Sequence, residues 1–138
     1  MKKQFSKKIL DGFTLLELLV VIGIIGILVS LITVSFANAQ KSGRDSRRRQ
    51  DLVSIQNAME QYYAANNFQY PTCGGGAVTC NALATYMQGG VVPTDPLSTT
   101  VGGVTYQYTY SYNVAGADYT VTAYLEKTGS PITVKSLQ

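Results

Sequence analysis

Twenty-four consecutive residues, Phe13 to Phe36 (FTLLELLVVIGIIGILVSLITVSF), contain one charge, Glu17, and no other feature constrains this chain as much. As an α-helix the run extends roughly 36 Å, enough to cross the hydrocarbon core of a bilayer. A cleaved secretory signal would have a shorter apolar region, of about 7–15 residues, with a small-x-small cleavage site after it. Here the run is longer and the candidate cut lies before it, so the segment reads as a membrane helix that is kept. The basic character of the chain is confined to its start. Of eleven basic and eight acidic residues, four lysines and one aspartate fall in residues 1–12, leaving seven of each beyond. The surplus of positive charge is therefore no argument for nucleic-acid binding, and none is expected. Lysines precede the span and Lys41, Arg44, Arg47, Arg48 and Arg49 come after it, so charge counts alone leave the orientation open.

Beyond the span the chain divides in two. Residues 37–67 read as a continuing helical stem. Its first part, AQKSGRDSRRRQD, is polar all round, as in a helix that packs little within its own monomer. Asp45–Arg49 and Arg47–Asp51 stand at i,i+4 spacing, and the basic cluster Arg44–Arg49 is expected to form exposed or inter-subunit ion pairs, contact with anionic lipid headgroups or nucleic acid being the alternative. Further on, Leu52, Ile55, Ala58, Met59 and Tyr62 form a stripe that should seat the helix on a core. Residues 68–138 read as a small head. Pro and Gly punctuate 68–103, with room for one short helix. From Val104 to Val114 the period changes to two, placing Tyr106, Tyr108, Tyr110 and Tyr112 on one face as the core side of a strand. A second strand holds Tyr119, Val121, Ala123 and Leu125 on one face, and Ile132–Val134 makes a third. The expected fold is α+β, a long N-terminal helix packed on a small antiparallel sheet.

Enzymatic chemistry finds little support. The chain has no histidine, and the head holds neither a serine elbow nor clustered carboxylates. Cys73 and Cys80 lack the partners of a zinc site and the spacing of a redox pair, which leaves a disulfide closing a glycine-rich loop as the preferred reading. That pairing requires an oxidising location and so places the head outside the cytoplasm. No metal or cofactor is expected.

Gly12-Phe13-Thr14-Leu15-Leu16-Glu17, preceded by lysines and followed by the apolar run, closely resembles the processing site of type IV pilins and of type II secretion pseudopilins. The resemblance implies a leader of residues 1–12, removed by a prepilin peptidase that cuts between Gly12 and Phe13 and methylates the Phe13 amine. It implies a homo-oligomeric helical filament, extracted from the cytoplasmic membrane by an assembly ATPase and its platform. Glu17 would meet the Phe13 amine of a neighbouring subunit, neutralising two charges in an apolar filament core, and Gly23 and Gly26 would let helices approach closely. Many members carry a helix-breaking proline where this chain has Val34. Tyr70-Pro71 and Pro93-Thr94-Asp95-Pro96 are similar to marks of the major pseudopilins. Those proteins bind calcium through an acidic C-terminal loop. Residues 127–138 here contain no Asp or Glu and the preceding turn contributes only Asp118, so the site is not carried over. The leading expectation is a pilus-like filament subunit, with a secretion pseudopilin as the alternative and a membrane-anchored binding module as the more remote one.

Overall fold

The computed structural model describes residues 12–73, 76–77, 80–112 and 116–138, with the side chains of 31–34, 76 and 77 left aside. The expectations placed on the leader before Gly12, on the Val34 side chain and on the turn at 113–115 lie outside the described residues. One helix, α1 (Leu15–Ala65), contributes to both of the compact units into which the chain divides, 1–37 and 38–138.

In the first unit the helix has no core to pack on. Its described apolar side chains are all exposed, from Phe13 at 89% to Val21 at 49%. An 18-residue window reaches a mean hydropathy of 2.9 with none of it buried. Burial of such a surface must come from outside the chain, from lipid or from other helices.

The second unit builds the core. Leu52, Ile55, Ala58 and Met59 of α1 are all buried, as their spacing predicts, against Tyr70, Leu83, Tyr108, Tyr110, Tyr119, Val121 and Ala123. Four strands, β1 (Gly76–Ala77), β4 (Thr109–Ser111), β5 (Thr120–Tyr124) and β6 (Pro131–Lys135), pair antiparallel in the order β1-β4-β5-β6. Tyr110 stands opposite Val121, and Val121 opposite Val134, so one face carries the core residues across three strands. Between β1 and β4 run a short 3-10 turn (Asn81–Tyr86) and a separate hairpin of β2 (Thr100–Val101) with β3 (Val104–Thr105). Cys73 and Cys80 are joined by a disulfide that closes the loop bearing β1.

Two elements differ from expectation. The helix ends at Ala65 rather than near Asn67. Asn67 takes a left-handed φ of 54°, and Phe68 N–H bonds back to Tyr63 O at 3.1 Å, the six-to-one bond of a Schellman cap. The Tyr63 and Phe68 rings meet edge to face at 5.6 Å, which completes the cap. The strand expected over Val104–Val114 is broken at Tyr106–Tyr108. Alternate burial persists there without a ladder, because Tyr106 lies under Arg48 and the Tyr108 hydroxyl donates to Asp51 at 2.7 Å. The side chains are held by the helix, and beyond the Tyr106 N–H, which still donates to Thr99 O at 2.9 Å, regular strand structure stops until Thr109. Tyr112, expected on the buried face, is 42% exposed.

Candidate assembly site

At the N-terminal end the sequence sets up its own helix start. Thr14 precedes the first helical residue and Glu17 stands three positions later, the spacing of a capping box. Both halves are formed. Glu17 N–H donates to Thr14 Oγ1 at 3.2 Å, and Glu17 Oε2 accepts from Thr14 N–H and Thr14 Oγ1 at 2.9 Å each. The carboxylate thereby satisfies an otherwise orphaned donor and sits at the positive end of the helix dipole. Reading Glu17 only as a partner for another subunit's amine misses this bond, although Thr-x-x-Glu before an apolar run is the signal for it. Phe13, beside it, is fully accessible. Gly23 and Gly26 have open space where a Cβ would stand, so nothing among the described residues requires glycine at either place.

The charged stem corrects the sequence reading most. Arg48 is fully buried, with Asp45 and Asp95 almost as deep. Its Nε and Nη2 grip both oxygens of Asp95 at 2.7 and 2.8 Å, while Nη1 reaches Asp45 Oδ1 at 2.7 Å and Glu126 Oε1 at 2.8 Å. Arg44 clasps Glu126 through two more bonds of 2.7 Å. Asp45, expected to pair with Arg49, pairs with Arg48 and accepts the N–H groups of Glu126 and Lys127. Asp95 accepts the N–H of Leu97. The guanidinium face of Arg48 lies 5.0 Å from the centre of the Tyr106 ring. Only Arg47–Asp51, at 3.7 Å, forms as an i,i+4 pair of the expected kind. The stem is thus bolted to its own head at two places, the Pro93–Pro96 turn and the turn after β5.

The electrostatics are set by the pairing. Hydrogen bonds from Arg44, joined by Arg48, hold the Glu126 carboxyl down to about 2. Burial pushes Asp95 up, but the bonds from Arg48 outweigh it and the carboxyl sits below its ordinary value. Among the described residues no buried polar side-chain atom lacks a partner. Tyr70 and Tyr119 share Glu60, and burial raises both hydroxyls. Burial likewise pushes Tyr110 up to about 12. Tyr106, Tyr108 and Tyr110 of the tyrosine face are core, and Tyr112 is exposed. Asp45, Asp95 and Glu126 turn their oxygens to guanidinium and backbone N–H donors. A saturated cluster of this kind has no group free to carry a proton or attack a substrate; what it can do is fix the head on the stem.

A family model described as a prokaryotic N-terminal methylation motif matches residues 11–33, a segment that includes Gly12, Phe13 and Glu17. The chain is 39% identical over 67 residues to type II secretion system core protein G of Aeromonas hydrophila, covering 49% of this chain and 46% of that protein. With the protein of the same name from Escherichia coli K12 the identity is 38% over 65 residues, 47% and 44% of the two chains. With that of Vibrio cholerae it is 32% over 106 residues, 70% of this chain and 68% of the relative. The chain therefore spans about half the length of the first two relatives and two thirds of the third. No solved structure is a significant match.

Proposed function

Since this chain belongs to the family of type IV pilins and type II secretion pseudopilins, we propose that it is the repeating subunit of a secretion-type pseudopilus. The role is structural: cohesion of a filament, not turnover of a substrate. The observation that carries this is a helix opened by Glu17 whose apolar side chains from Phe13 to Val29 and at Phe36 are exposed among the described residues. Its relatives are named for the secretion system core rather than for a surface pilus, which supports the pseudopilus, the sequence's alternative, over the pilus-like subunit it placed first.

In this reading the leader is cut between Gly12 and Phe13, and Phe13 becomes the methylated N-terminus. The processed subunit waits in the cytoplasmic membrane with its head outside, anchored by residues 13–36. The Thr14–Glu17 box survives the cut, because both members lie beyond Gly12. It keeps the carboxylate partnered while the subunit is in lipid, where an unpartnered charge is costly. On assembly Glu17 trades part of that bonding for the Phe13 ammonium of a neighbour, in a dry contact where opposite charges attract strongly. The helix surface leaves lipid for other helices, with Gly23 and Gly26 allowing close approach. An assembly ATPase and platform drive the transfer. The Arg48 cluster transmits that pull, since it makes stem and head one unit.

The surface pilus stays as the second reading on one observation, the absence of carboxylates from residues 127–138, where the major pseudopilins carry theirs. The intact mass of the protein in fractions of the producing cell tests both. A chain starting at Phe13 and heavier by one methyl, held in the envelope fraction, is the expected result. The same species in filaments sheared from the cell surface would favour the pilus, and a chain still beginning at Met1 would overturn processing altogether.

A further inference from the structure

The acids of the second unit are mostly spoken for, but not all of its cations are. Asp45, Asp95 and Glu126 are consumed by Arg44 and Arg48, and Glu60 by two tyrosine hydroxyls and the Leu137 N–H. Arg49 and Lys127, by contrast, take part in no ion pair among the described residues. Both residues line one cleft of about 170 Å³, whose walls add the hydroxyl residues Ser42, Ser46 and Thr128. Asp45 also borders it, but both its oxygens are turned to Arg48 and to the N–H groups of Glu126 and Lys127. Two unpaired cations flanked by three hydroxyl groups suit a phosphate oxyanion. Ser42 lies six positions after Phe36, the last residue of the apolar run, so the cleft begins in sequence where a spanning helix leaves the hydrocarbon.

We infer that this cleft holds the phosphate of an anionic phospholipid headgroup while the subunit waits in the membrane. The inference rests on the membrane-stored state of the proposed function. Its effect is to retain the subunit in a lipid patch of matching charge and to seat the turn after β5 on the headgroup layer. Extraction into a filament would then break headgroup contacts as well as lipid burial. Each basic side chain near an anionic surface favours association about fivefold, and more salt weakens it.

The test is hydrogen exchange of the full chain in nanodiscs of phosphatidylcholine, alone or mixed with phosphatidylglycerol. Flotation with neutral vesicles reports the membrane anchor separately, so loss of that reading is seen independently. The expected result is severalfold slower exchange over residues 127–130 when phosphatidylglycerol is present. Arg49→Gln with Lys127→Gln should abolish the slowing while protection of β5 is unchanged, and Arg49→Lys with Lys127→Arg should keep it. If the neutralised variant loses its β5 protection, the unaltered chain at rising salt replaces it and must lose the slowing. No dependence on phosphatidylglycerol, or slowing that survives both neutralisation and salt, overturns the inference. Equal slowing by inorganic phosphate in neutral discs overturns the lipid as occupant, and slowing in neutral discs that grows with subunits per disc assigns the cleft to a second copy instead.

Discussion

Arg48 is the residue on which the head depends. Removing its side chain leaves three carboxylates facing one another with little water to screen them. Breaking a buried pair by deleting one partner costs about 3–5 kcal/mol. Arg48→Ala is therefore expected to lower the denaturation free energy by that order. Arg49→Ala, at the exposed next position, should change it by no more than about 0.5 kcal/mol. Urea titration of the two variants checks the contrast. Acid should act on the same cluster. Glu126 and Asp95 titrate lower in the folded chain than when unfolded, so their contribution is complete above the unfolded carboxylate range and falls away as pH drops. The urea midpoint should hold steady down to about pH 5 and then decline toward about pH 2. A midpoint flat to pH 3 would show that the cluster does not stabilise the fold. The burial of Arg48 is legible in the spacing: Asp45, Arg48, Leu52, Ile55 and Met59 are three, four, three and four apart, so both charged residues stand on the core stripe. Composition makes this polar run look solvent-facing, and only its periodicity says otherwise.

Elements are legible in proportion to how much of their cause is local. The apolar helix, its core stripe and the face of β5 arise from spacing within one segment, and each is where the residues put it. The break at Tyr106–Tyr108 is not legible, because its cause is Arg48 and Asp51, more than fifty residues earlier. The loop bearing β1 has a similar dependence: two residues pair with β4 only because the disulfide brings the chain around. Closing a loop of this length is worth about 2–3 kcal/mol in the chain-entropy account. Cys73→Ser with Cys80→Ser should reduce stability by that amount and match the unaltered chain under reductant, compared by urea titration with and without dithiothreitol. A larger loss in the variant than under reductant would point to packing of the sulfur atoms rather than loop closure. The small residues of the apolar helix give a complementary case. A Cβ at Gly23 or Gly26 meets nothing among the described residues, so Gly26→Leu should leave membrane insertion and head stability unchanged. Filament yield should fall, because close approach between neighbouring helices is lost; undiminished filaments would remove Gly26 from the assembly contact.

At the scale of the whole molecule, the first unit exposes an apolar surface and the second encloses a core, and Glu17 is the residue that belongs to both proposed states of the first. In the isolated chain it closes a capping box with Thr14. In the proposed filament it faces a neighbour's Phe13 ammonium. These roles separate chemically, because a glutamine at the third helical position closes the box as well as a glutamate does but carries no charge. Glu17→Gln should therefore keep the helix start, membrane insertion and processing, and still fail to assemble, since each Phe13 ammonium would be left in an apolar core with no carboxylate opposite it. Glu17→Val removes both functions and should also fail, with a frayed first turn. Thr14→Val, which breaks half the box and keeps the charge, should assemble at reduced yield. Electron microscopy of filaments, with insertion scored by flotation, reads all three variants together. Normal filaments from Glu17→Gln would mean that the carboxylate is there to start the helix, and that contact between subunits is set by the apolar surface alone.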